Sequence, residues 1–315
     1  MKAATLNTLA CMPTLLLAAT LNVGSGKDYS TITDAYNAAE AGDTIYVYPG
    51  TYEEKLTIGK DNITLKGSAY PSTSFSENQA IMTYASYAKD AGSDDASATL
   101  FVTGDNFNMY NMNIRNTAGQ DGQAVALSTS GRYGGYYASA LVSWQDTLYS
   151  HAGSQFFGRC YIEGAVDTIF GVTGNAWFQG NTLGLVRSAG TITAQGRKSA
   201  SDNGFFVFDN AKLVLGANAE SGTEGSVFLG RPWGDYARTI FQNSDLANMI
   251  TSAGWEAWND SQDTSNVLYG EYANSNAAGS RVSWAKALTS GEYISQILPT
   301  YQEWVDATYL GAGAA

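Results

Sequence analysis

Gln123, Gln145 and Asp167 stand at 22-residue steps along the chain. Each lies in a short apolar stretch: Gln-Ala-Val-Ala-Leu (123–127), Gln-Asp-Thr-Leu (145–148) and Val-Asp-Thr-Ile-Phe-Gly (166–171). Amide side chains can donate to an oxyanion, and carboxylates can attack a carbonyl or move a proton. Together these are the parts of an acyl-transfer site. Asp146 adds a second carboxylate next to Gln145. A lone Asp in a turn usually caps a backbone amide or faces water. Asp146 and Asp167 sit instead in apolar strand contexts, where an unpaired charge is costly. The pattern reads as a carboxylate-based hydrolase.

A step of roughly 20–25 residues is about one coil of a parallel β-solenoid, whose repeats bury their apolar faces only by stacking. Stacked parallel strands lie about 4.8 Å apart, so side chains from successive coils line up on one wall. Side chains alternate faces along a strand, so Gln145 and Asp146 can serve one site only from a strand end or bulge. The composition suits this fold: 34 Gly, 5 Pro and 44% hydrophobic residues, with Gly, Asn and Thr between short β-branched or aromatic runs. Strands are expected at 44–48, 63–65, 100–102, 109–114, 124–127, 138–142, 158–162, 176–178, 182–186, 192–194, 205–208, 227–229 and 239–241. No long helical periodicity separates them, which excludes an alternating βαβ sheet. Ser30 or Thr31 caps a helix bearing Ile32, Ala35, Tyr36 and Ala39 on one face, an end cover for the solenoid. Residues 84–98 are expected to loop out of the stack. Thr300 and Glu303 form a capping box for a late helix, with Trp304 and Tyr309 packing back. The whole reads as an all-β single domain over residues 20–315.

Net charge is −12, which argues against nucleic acid or an anionic membrane as partner. Two cysteines, Cys11 and Cys160, and one histidine, His151, make neither a disulfide framework nor a zinc site, so no metal is expected. Cys160 reads as a small buried hydrophobe. Residues 1–19, with Lys2 and an apolar run around Leu15–Ala19, read as a secretory signal, implying an extracellular protein. Asn62 and Asn259 then sit in glycosylation sequons. A Ser-His-Asp triad through Ser150 and His151 is disfavoured, because no Gly-x-Ser-x-Gly elbow exists. Gly24-Ser-Gly-Lys27 lacks the spacing of a phosphate loop.

Five segments, in order, resemble the signature motifs of pectin methylesterases (pectinesterases), in a fungal-like form: Gly50-Thr-Tyr-Glu-Glu54, Gln123–Leu127, Gln145–Leu148, Asp167–Gly171 and Leu229-Gly-Arg-Pro-Trp233. The run from Cys160 to Gly171 is especially close. The similarity extends from about residue 23 to about 259. One departure is Thr168, where the family usually has Phe, which would alter an aromatic contact near the site. The resemblance implies a right-handed parallel β-helix with short capping helices, and a monomer acting on pectin outside the cell, at the cell wall, without cofactor. It assigns Asp167 as nucleophile, Asp146 as general acid and then base, and Gln123 and Gln145 as oxyanion donors. Arg231, held between Gly230 and Pro232, is the cation expected to pair with Asp167, since guanidinium suits a carboxylate fork. Phe170 and Trp233 are expected to line a sugar groove, with Val166 and Tyr236 as further candidates. The first motif, with Tyr52, Glu53 and Glu54, reads as structural.

Two other readings compete. A glycosidase or lyase on a similar solenoid would shorten the polymer, and an inert binding module would show no turnover. Methanol release without chain shortening separates all three.

Overall fold

The computed structural model describes residues 18–277 and 279–311; the candidate signal segment, with Cys11, lies almost wholly outside them. Among the described residues the strands form three parallel sheets of eleven, seven and seven strands. Within each sheet, hydrogen-bonded neighbours come from successive turns of the chain, so the chain winds as a three-walled parallel β-helix. Leu100, Leu127, Leu148 and Ile169 occupy one register position in four consecutive coils, and all are fully buried. On the largest wall Phe157, Phe178, Phe208 and Phe241 stack at centroid distances of 4.9, 4.3 and 4.3 Å. Each coil thus covers the apolar surface of the one before, which is why a repeat is unstable alone.

The N-terminal helix expected as an end cover is present, and the C-terminal segment packs back on the outer face of the largest sheet. The first helix, Ile32–Ala38, is capped by Thr31, whose hydroxyl accepts from the Asp34 amide at 3.0 Å. Glu54 of the first motif accepts from the Ile32 and Thr33 amides, both at 2.8 Å, so that motif ties the cap to the solenoid. Near the C-terminus Thr300 caps nothing. A short helix at Ile294–Ile297 is followed by a single 3₁₀ turn, Tyr301–Glu303, and the Thr300 hydroxyl turns toward Tyr133 Oη at 3.5 Å, away from the turn's amides. Trp304 stacks on Tyr133 at 5.3 Å and Tyr309 packs on Tyr137 at 4.8 Å, as the aromatic pattern predicted. Cys160 is fully buried, and burial pushes its thiol up to about 12.

Three strand expectations fail at corners, and one of them, 124–127, meets the strand Leu127–Thr129 only at that strand's first residue. The run 109–114 is two strands, Phe107–Tyr110 and Met112–Asn116, and 158–162 straddles Ser154–Gly158 and Tyr161–Gly164. Asn111 alone turns the first corner and Arg159 with Cys160 the second, Asn111 and Arg159 each having a φ of 53°. A bend of one or two residues leaves no polar loop for hydrophobic periodicity to detect. Residues 84–98, expected to loop out, instead form two short helices, Ala88–Ala91 and Asp94–Ser97, and fold onto the coils. Asn116 holds them, its amide donating to the carbonyls of Ser86, Ser97 and Val125 at 2.9–3.1 Å.

Candidate active site

Asp146 and Asp167 occupy the same corner of consecutive coils, just before the strands Leu148–Ser150 and Ile169–Gly171. Both are left-handed, with φ of 64° and 48°, a conformation that Asp tolerates better than most residues. The corner frees Gln145 and Asp146 from strand alternation, as the shared site required. Gln145 bridges to Val166, the Asp146 amide donates to the Val166 carbonyl at 3.1 Å, and Leu148 pairs with Ile169. This is a 21-residue step, so Asp146 lies level with Asp167, about 4.8 Å along the stack. The 22-residue step holds only for the preceding coil. There the Ala124 amide donates to the Gln145 carbonyl at 3.1 Å, placing Gln123 level with Gln145. The Ala126 and Leu127 amides then share the Thr147 carbonyl, a bulge that absorbs the extra residue. The expected column of Gln123, Gln145 and Asp167 is thereby corrected: the amides stack on each other, and the two carboxylates stack beside them.

Arg231 follows the strand Phe228–Gly230 and reaches across two coils. Its Nε donates to Asp167 Oδ1 at 2.9 Å and its Nη2 to Oδ2 at 2.8 Å, a two-point fork. The Thr191 hydroxyl adds a donor to Oδ1 at 2.8 Å. The guanidinium also lies 4.4 Å from the centre of the Trp258 ring and 3.9 Å from Glu256. Gly230 makes this reach feasible, since a Cβ there would stand 1.9 Å from Thr193 Oγ1. Asp146 has no such partner. Burial, and then the negative charges of Asp167 and Asp94, push its carboxyl well above the usual range, against the opposing pull of Arg231 and a Gln145 hydrogen bond. The pair is thus divided into an anion held by a fork and a carboxyl held toward its protonated form.

These groups line a cleft of about 230 Å³ with Gln123, Gln145, Phe170, Trp233, Asp94, Ala194 and Trp258. Phe170 stacks on Tyr149 at 4.2 Å, and Trp233 stands 6.4 Å from both Phe170 and Trp258. Trp233 is 38% exposed, so an aromatic face is open to the cleft mouth. Val166 and Tyr236 are not among the lining residues. Val166 stacks on Gln145, and the Tyr236 carbonyl accepts from Arg197 at 3.1 Å. Thr168 is buried in the corner against Gly164, with its hydroxyl toward the Thr191 carbonyl at 3.4 Å, and it is not among the cleft-lining residues. His151 pairs with Asp95 at 3.1 Å, while the Ser150 hydroxyl donates to Gln155, so no triad forms.

Sequence reasoning missed Asp94, Ala194 and Trp258. Asp94 lay in the segment expected to leave the stack, and Trp258 at the edge of the recognisable motifs. Two tryptophans within four residues, Trp255 and Trp258, just before a polar stretch were the one signal available for the latter.

The family model for pectinesterases matches residues 19–299. A pectinesterase of Aspergillus aculeatus is 39% identical, over 90% of each chain. The solved structure of the Aspergillus niger pectin methylesterase superposes with a TM-score of 0.86 at 36% identity, covering 92% of this chain and 97% of that one. The carrot pectin methylesterase superposes at 0.81 with 27% identity, covering 98% and 99%. With its parallel β-helix and its five motifs in order, the chain belongs to the pectinesterase family.

Proposed function

We propose that this cleft removes methyl groups from methyl-esterified homogalacturonan by a two-aspartate acyl-enzyme route. Asp167 Oδ attacks the ester carbonyl carbon, and the carbonyl electrons move to oxygen. The Gln123 and Gln145 amides donate to that oxyanion. Its collapse expels the methoxy group, which takes the proton of Asp146 and leaves as methanol. Water then gives one proton to the Asp146 carboxylate as its oxygen attacks the sugar carbonyl of the mixed anhydride, which restores the Asp167 carboxylate and releases galacturonic acid, whose proton passes to solvent. Arg231 holds the nucleophile in one orientation throughout, and Phe170 and Trp233 offer faces to the sugar rings.

The observation that carries this reading is the division of the stacked pair. Asp167 is clamped by Arg231, and Asp146, one coil away, is pushed toward its protonated form. One acid fits attack and the other fits proton donation.

In the same reading the enzyme acts on the polymer outside the cell. Residues 1–19 direct secretion and 20–315 act as one monomeric catalytic domain. No helix among the described residues is long and apolar enough to cross a membrane. The test is methanol release from highly esterified pectin, with polymer length followed in parallel. Methanol without shortening supports the proposal, and shortening without methanol overturns it.

A further inference from the structure

The charged groups lining the cleft are Asp94, Asp146, Asp167 and Arg231. Arg231 is committed to Asp167 through both ends of its fork. The lining therefore holds three carboxyl groups and one guanidinium, and that guanidinium already has its anion. A polymer entering this cleft carries either a neutral methyl ester or a carboxylate on each sugar. The two differ by a full negative charge.

Asp94 is placed to read that difference. It opens the short helix Asp94–Ser97, which is capped by Ser93, whose hydroxyl accepts from the Ala96 amide at 3.0 Å. Its neighbour Asp95 is occupied, taking the Ser128 hydroxyl at 2.6 Å and His151 Nδ1 at 3.1 Å. The Asp94 carboxylate has no hydrogen bond or ion pair among the described residues, yet it is half-buried and faces the cleft. The fold supports that position. The Ala88 amide donates to the Gln123 carbonyl at 2.9 Å, and the Thr99 amide to that of Val125 at 3.1 Å, so both ends of the segment are fastened to the coil that carries Gln123.

We infer that Asp94 is a specificity-determining residue, which makes the sugar position beside the reacting ester select a methyl ester over a free galacturonate. This rests on the pectin reading above. An unpaired carboxylate facing a desolvated anion is a repulsive element, and repulsion against the wrong ligand discriminates as effectively as attraction to the right one. An ester in the same place meets no such penalty. Asp94 also contributes to the raised position of Asp146, so a change at 94 alters the acid as well. That second effect belongs to the enzyme and is equal for all substrates. The filter depends on the substrate.

The experiment compares Asp94→Asn and Asp94→Glu with the parent protein on high-ester and low-ester pectin, at low and moderate salt. Asp94→Asn keeps the shape and removes the charge. It is expected to lower the high-ester to low-ester ratio of kcat/KM by about threefold to tenfold, a free-energy change of roughly 0.7–1.4 kcal/mol. Asp94→Glu is expected to keep the parent ratio. Salt should lower the ratio for the parent more than for Asp94→Asn, because screening acts on the charge removed. Calorimetric binding of a fully de-esterified galacturonan oligomer should tighten by a similar factor in Asp94→Asn. A parallel fall in rate on both pectins, with ratio and oligomer binding unchanged, would show that Asp94 only tunes Asp146 and overturns the filter. Should the parent release no methanol from either pectin, the functional reading fails. The oligomer measurement then judges the charge effect by itself: equal binding by parent and Asp94→Asn overturns it.

Discussion

Arg231 grips Asp167 at both carboxylate oxygens, Nε to Oδ1 at 2.9 Å and Nη2 to Oδ2 at 2.8 Å. The fork spans 64 residues of sequence, yet only two coils of the solenoid separate its partners. It points both acceptor atoms of Asp167 at one cation, and it leaves Asp146 without an ion pair among the described residues. Two chemically identical side chains are thereby set apart: Asp167 holds the fork, while burial first, and then the charges of Asp167 and Asp94, raise the Asp146 carboxyl.

Asp167→Asn is expected to abolish methanol release while the protein stays folded. The amide tolerates the left-handed backbone at this position and can still bond Thr191, but it is a very poor nucleophile. Circular dichroism and a methanol assay together check this. A folded variant with near-parental turnover would remove Asp167 from the covalent step.

Asp146→Asn is expected to lower kcat by about 10²–10⁴-fold, the usual range for a lost general acid–base. An activated ester with a better leaving group should recover part of the acylation rate, measured as the burst of released alcohol. No recovery would mean that proton donation is not its role.

The same variant should gain stability, with a pH dependence of definite sign. The Asp146 carboxyl is raised in the folded protein, so the folded state holds its proton more tightly than the unfolded state does. That contribution is full below the unfolded value near 3.8 and is lost as pH rises through the folded value. At neutral pH the parent therefore bears a cost that Asn does not. The melting temperature of Asp146→Asn should exceed the parent's by about 2 °C or more at pH 7. The gap should close as pH falls below the unfolded value. A gap that is constant with pH would assign the difference to packing.

Gln123→Ala and Gln145→Ala should each reduce kcat by roughly 10²–10³-fold, as for one lost oxyanion donor, with little change in KM. Steady-state kinetics on a defined methyl ester separate the two parameters. An effect on KM alone would make the stacked amides substrate-positioning groups.

Gly230→Ala is expected to cost activity through Arg231. An added Cβ would meet Thr193 Oγ1 at 1.9 Å, and Arg231 follows directly in the chain. The fork must then shift or break. Gly230→Ala combined with Thr193→Ala removes the obstructing hydroxyl and should restore part of the lost rate. No recovery in the double variant would assign the effect to the Thr193 carbonyl, which stands 2.7 Å from the same Cβ and is not removed.

The sequence by itself determined the residue types of the chemistry and the kind of scaffold. Two Gln, two Asp and one Arg stood in recognisable short motifs, and brief apolar strands with no helical periodicity implied stacked parallel coils. Short-range patterns suffice for this, because strand propensity and motif identity are local. The tertiary structure decided which side chains share a column. Coil steps of 21 and 24 residues run through the paired corners, Asp146 to Asp167 and Asp167 to Thr191, and one bulge at Ala126–Leu127 changes the register of Gln123. A shift of one residue there moves a side chain to a different neighbour, and nothing within either segment records the length of the coil between them. Asp94 and Trp258 joined the cleft for the same reason. Their positions follow from how an insertion and a distant turn fold back onto the solenoid corner, and that is set by contacts such as those of Asn116 and Arg231, formed only once the coils are stacked.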